Sequence, residues 1–287
     1  MNDIDDIVSD KNFNKEDWIK KKQDDRKKAY ELIDKTALEI VSDSSKFKLY
    51  LDVLSRLDKY SVGNGLLIVS QMPNATQLKE FSDWKELGAY IKKNEQSITI
   101  LEPGEPYMTK DGIQKTSYNP KKVFDISQTT FKSNVKRKDY DDKTKLTALL
   151  KDCPISIKAV DDINGSNLIA TWNKEDNTLY VKRGEDTSIL FKEISREIAK
   201  TMFEETGNID LKSFKCNCVS YILSKKYNFN ISSIDIDTIP ASLKNMSSNE
   251  IRNELSTIKN IVEDVNTRMN SHFELITKQT KNREQER

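Results

Sequence analysis

The sequence contains one histidine, His272, and that scarcity excludes more than any residue present. A zinc centre of the H-E-x-x-H kind needs two histidines one helical turn apart, with a glutamate beside them as general base. A single histidine near the C-terminus cannot supply it. Cysteine is almost as rare. Cys153, Cys216 and Cys218 are too few for a disulfide framework. Cys216 and Cys218 stand two apart in a helical stretch, so they point to different faces, chelate poorly and read as buried free thiols. A site of carboxylates alone stays open, but no loop carries the ligand spacing it needs.

Other absences narrow the class. With 8 glycines, 6 prolines and 32% charged residues, the 287-residue chain reads as helix-rich with a highly charged surface. It is long enough for two domains. No run of eighteen apolar residues exists, so no membrane span is expected. The opening "MNDIDDIVSD" lacks the basic and apolar regions of a signal peptide, which points to the cytoplasm. Net charge is +1, so any attraction to nucleic acid must come from a local basic patch.

What is present reads as α+β. Two charged helices cover the first fifty-odd residues, regular only from about Ala29. An apolar helix over Leu66–Ile68 must end before Pro73. Ser82 is the expected N-cap of a further helix running through Trp84, Leu87, Tyr90 and Ile91, closed by Lys92, Lys93 and a left-handed Asn94. A strand at "QSITIL", a hairpin through Asp111-Gly112 and a third strand around Val123 make a small antiparallel sheet. The polar stretch 130–145 reads as a linker. Helix, strand, a hairpin turning at Asp176-Asn177 and two further helices follow. From Ser247 onward one long heptad-like helix is expected, fraying in its last ten residues. Its stripe can pack within the chain or pair two chains into a homodimer.

The stretch "SILFKEISREIAK", 188–200, has the outline of a metalloprotease helix without its ligands. Lys192 and Arg196 hold the histidine positions, and Glu193 holds that of the base. Two readings stand open: a surface helix burying Leu190, Ile194 and Ile198, or a dismantled zinc site. In neither does Glu193 have a metal-bound water to activate, so no enzyme, metal or cofactor is expected.

Between Tyr60 and Thr129 the sequence resembles the N-terminal domain of ArdC-type antirestriction proteins, and within them the LtrC-like branch of conjugative elements. The likeness is carried by Tyr60, Ser61, Asn64, Leu66, Leu67, Ile68, Gln71, Pro73, Ala75 and Thr76. It continues through Phe81, Trp84, Leu87, Gly88, Lys92, Lys93, Glu95, Ile100, Leu101 and Pro103, then "KKVFDISQT". The resemblance implies a single-stranded DNA-binding domain over 1–135. It also implies a zincin-like peptidase domain over 145–245, here degenerate, with 246–287 as an amphipathic helix. In such domains an edge strand precedes the zinc helix. Lys215 would then stand where the family supplies an acidic third ligand, and Lys192, Arg196 and Lys215 would put positive charge where a cation sits.

The candidate DNA contacts are Asn64, Gln71, Trp84, Lys85, Lys92, Lys93, Lys121 and Lys122, with Tyr90, Tyr107 and Tyr118 as further aromatics. Cations would follow the phosphates and rings would stack on bases. Each has a plainer alternative: Trp84 as core, Lys92 and Lys93 as helix-dipole partners, Asn64 and Gln71 as structural hydrogen-bonders. The expected partner is single-stranded DNA, or alternatively a host or element-encoded protein held by the inactive cleft and the C-terminal helix.

Overall fold

The computed structural model describes residues 15–132, 139–203 and 208–285. Part of the expected linker, 133–138, and the start of the chain lie outside them.

Helix α1, Lys15–Ser42, is followed almost without a break by α2, Ser44–Arg56. Asp43 makes the junction: its carboxylate accepts from Ser45 N and Lys46 N, satisfying the first free amides of α2. Ser61 caps α3, Val62–Gln71, in the same way. Pro73 prevents α3 from continuing, and Arg56 gathers the carbonyls of Pro73 and Ala75 at 2.5 and 3.1 Å.

The short strand β1, Leu78–Lys79, leads into α4, Phe81–Glu86. Here the expected helix is cut short. Glu80, not Ser82, is the N-cap. Gly88 adopts φ +71°, and Ala89 N donates to Trp84 O at 2.9 Å, a Schellman closure that stops the helix at Glu86. Tyr90 to Lys93 therefore lie in a loop that pairs with Thr129. Asn94 is left-handed as expected, at φ 68°, but in a turn rather than a cap.

Strands β2, Ile98–Met108, and β3, Gln114–Asp125, form one long hairpin across Asp111-Gly112. The sequence divides β3 into two strands where the structure has one, and the third member of the sheet is β1, in the order β1-β3-β2. A bulge between Pro103 and Pro106 shifts the register, and beyond it the ribbon stands in solvent.

The second half begins with α5, Asp142–Leu150, capped by Asp141. Strands β4 (Ser156–Val160), β5 (Ala170–Asn173) and β6 (Thr178–Lys182) follow, in the order β4-β6-β5. β4 runs parallel to β6 and β5 antiparallel to it. The strand preceding the next helix is thus central, and the edge strand β5 is the one lying against that helix. Helices α6 (Thr187–Met202) and α7 (Ile209–Lys226) pack face to face. A single turn α8, Ala241–Lys244, precedes α9, Ser248–Gln285, which stays helical to the last described residue, well into the segment expected to fray.

The apolar core runs unbroken between the halves. Phe47 of α2 meets Phe214 of α7 at 5.3 Å, and α9 lies against α1, α3, α5 and α7. Ile251, Leu255, Ile258, Val262, Val265, Met269 and Phe273 are all buried there. The heptad-like stripe is therefore used within the chain, which leaves no apolar seam along those turns for a homodimer. No helix among the described residues is long and apolar enough to cross a membrane.

Candidate nucleic-acid interface

Most of the residues proposed as DNA contacts turn out to hold the fold. Asn64 is buried on α3 and faces the outer edge of β2. Its Nδ2 donates to Leu101 O at 2.8 Å and its Oδ1 accepts from Leu101 N at 2.7 Å. Two turns on, Gln71 repeats the arrangement with Thr99, donating at 2.9 Å and accepting at 2.8 Å. Residues 64 and 71 share a helix face, and residues 99 and 101 share a strand edge, so the two amides act as a substitute neighbouring strand. Neither is free to read a nucleotide.

Trp84 is fully buried, with Nε1 donating to Phe124 O at 2.9 Å and its ring 5.7 Å from Phe131. It anchors α4 and cannot stack on a base. Lys121 pairs with Glu80 at 2.5 Å and with Glu102. Burial acts to lower its pKa, but the two carboxylates outweigh that and hold it above the ordinary lysine value. Lys122 is exposed but donates to Thr99 Oγ1 at 2.7 Å, and Lys92 to Ser127 O at 2.7 Å.

Other residues of the resemblance are structural too. The buried Asp125 carboxylate accepts from Thr76 N, Gln77 N and Ser127 N, closing the turn after Pro73 onto the end of β3. Gln128 joins Asp125 N to Glu95 and Gln96.

What remains free on this side is a set of exposed rings and lysines around α4. Tyr90 is 69% and Phe81 58% exposed, with Lys85 and Lys93 also exposed. Phe81 and Lys85 are neighbours one turn apart on α4. Lys93 follows Tyr90 in the loop held to 127–130 by Tyr90 N to Thr130 Oγ1 and Lys92 N to Gln128 O, both 2.9 Å. Phe81 was not among the sequence candidates. Its spacing of three from the buried Trp84 would by itself put it on the inner side of the helix, so no local signal marks the ring as exposed.

In the second half, Ile194 and Ile198 are buried as expected and Leu190 partly so. The cationic positions do not form one cluster. Lys192 reaches Ser233 Oγ and lies 3.7 Å from Glu193, while Arg196 is 3.0 Å from Glu193 and 3.5 Å from Glu197. Lys215 turns away to α9, 2.5 Å from Glu254 and 4.5 Å over the Phe203 ring. Glu193 thus sits between two cations as their counter-ion. Lysine and arginine at these positions do not fit a metal ion. Among the described residues no group of three or more His, Cys, Asp or Glu could hold one.

No family model and no curated protein matches the chain. Its architecture, two small sheets with helices in this order, is that of an ArdC-like fold. Among solved structures it is similar to the antirestriction ArdC protein from the R388 plasmid. The metal-free form superposes with a TM-score of 0.52 at 12% identity, over 74% of this chain and 86% of that one. The Mn(II)-bound form gives 0.51 at 12%, over 73% and 85%. At that identity the likeness is one of fold.

Proposed function

We propose that the protein is a non-enzymatic, single-stranded DNA-binding accessory protein of antirestriction type. In this reading it is of the LtrC-like branch of ArdC-type proteins and is encoded by a conjugative plasmid or other mobile element. It would act in the cytoplasm on incoming DNA, through residues 1–135, with a peptidase-like second half that has lost its zinc ligands. The observation that carries the reading is the solvent-facing set Phe81, Lys85, Tyr90 and Lys93, two rings and two cations exposed within thirteen residues on a chain of near-zero net charge. Such a surface suits a single strand, whose bases stack on any ring while its phosphates follow the lysines. The ArdC-like fold supports the same reading.

A protein-interaction module has less support. Lys192, Glu193 and Arg196 are occupied with internal pairs, and the α9 stripe lies in the chain's own core.

The test is fluorescence anisotropy of labelled oligo(dT) at low and moderate salt, with a duplex as control. The wild type is expected to bind the single strand and to release it as salt rises. Lys85→Ala/Lys93→Ala is expected to bind more weakly, with a salt slope reduced by about one to two. A wild type that binds no single strand at any salt would sink the reading.

A further inference from the structure

A second surface on the same half has the chemistry of a strand-binding slot. The stripe of α1 that buries Ile40, Thr36, Ile33 and Ala29 continues in steps of three and four to Arg26, Lys22 and Trp18. Those last two turns extend past the buried stripe of a helix that touches both strands of the β2–β3 ribbon. Arg26 Nη2 donates to Asn119 Oδ1 at 2.8 Å, tying the helix to β3. Arg26 Nε has no hydrogen-bond partner among the described residues. On β3, Lys115, Ser117 and Asn119 alternate onto one face, and Tyr107 stands opposite Lys115. Gly104 lies beneath that face: a Cβ there would come within 2.5 Å of Asn119 Nδ2, so the bulge keeps the amide turned toward Arg26.

Helix and ribbon each carry a ring in solvent. Trp18 is 38% and Tyr107 49% exposed, with Lys22 Nζ 4.9 Å over the Trp18 ring. Between residues 15 and 28 the helix carries seven lysines and arginines against four acidic residues. We infer that single-stranded nucleic acid lies between the α1 arm and the β2–β3 ribbon, its bases against Trp18 and Tyr107 and its phosphates at Lys22, Arg26 and Lys115. The inference rests on the DNA-binding reading and adds a second place where the strand is held.

The experiment titrates oligo(dT) into the full chain, following anisotropy of the labelled strand and intrinsic tryptophan fluorescence. Of the three tryptophans Trp18 is exposed, Trp84 is sealed in the core and Trp172 is half-buried on β5 of the other sheet, so stacking on Trp18 quenches part of the emission. Trp18→Ala and Tyr107→Ala, both at exposed positions, are each expected to weaken binding about five- to 100-fold. Trp18→Phe is expected to keep most of the affinity and lose the quench. If the wild type binds but Trp18→Ala and Tyr107→Ala match it within about twofold, the slot is wrong and the DNA-binding reading survives. If the wild type binds no single strand, both fall together. Light scattering that finds a dimer split by Trp18→Ala would make the arm a self-association surface and overturn the inference.

Discussion

Asn64 and Gln71 illustrate how a polar residue in an apolar helix is explained by its geometry. Each makes donor and acceptor bonds to a single residue of β2, so losing the side chain strips a strand edge of two partners at once. Asn64→Ala leaves the backbone of Leu101 unsatisfied inside the protein, with an expected loss of about 1–3 kcal/mol. Gln71→Ala, where water can reach, is expected to cost less than Asn64→Ala. Urea unfolding measures both, and the folded fraction of each variant should bind oligo(dT) as the wild type does. A variant of normal stability and lost affinity would return Asn64 to the interface. Residue types and spacing in the sequence predict that these amides are bonded. They do not predict that the partner is a strand edge 28 to 37 residues away, because nothing local encodes that pairing.

At the scale of elements, helices and hairpins were legible wherever a local signal was complete. The apolar period of α3 with its proline stop, the Asp111-Gly112 turn and the Asp176-Asn177 turn all appear where the sequence puts them. The error at α4 arose because apolar spacing continued to Ile91 while Gly88 and the Ala89–Trp84 bond had already closed the helix. Tertiary pairing of 90–92 with 128–130 then claimed the rest. The pairing of α6 with α7 was similarly readable as two helices. That Lys215 turns to α9 was not, since its partner Glu254 lies 39 residues on. For the α6–α7 face the prediction is that added Zn²⁺ or Mn²⁺ leaves the melting temperature unchanged, because an ion bound only by the native state raises it. A saturable upward shift would mean that carboxylates and Cys216 assemble a site the resting geometry does not hold.

For the whole molecule, the α+β class was legible and the depth of contact between the halves was not. Acidic residues of the first half meet basic ones of the second. Asp52 pairs with Lys225 at 2.5 Å and accepts from Tyr221 at 2.9 Å, and Asp34 meets Arg252 at 3.4 Å. Burial pushes the Cys216 thiol up to about 11, and burial, with Asp52 adding to it, raises Tyr221 well above the tyrosine range. Tyr227 is raised by burial as well. Each of these groups holds its proton more tightly folded than unfolded. Their contribution to stability is therefore complete below the unfolded values and falls as pH rises through the folded ones. Melting temperatures are expected to be unaffected by these groups up to about pH 9 and to drop between about pH 9 and 11. A curve with no fall in that window would contradict the buried, protonated state of Cys216.

The last turns of α9 that reach the core have a consequence for the protein's birth. Val123 of the first sheet and Phe273 of α9 belong to one apolar cluster, yet 150 residues separate them in the chain. At ribosomal rates of about 5–20 residues per second, roughly 8–30 s pass between the two emerging. Through that interval the faces of α1 and α3 that α9 will cover, joined later by that of α7, stand open to water, to chaperones and to other nascent copies. The native core closes only after its latest strip of side chains has been delivered.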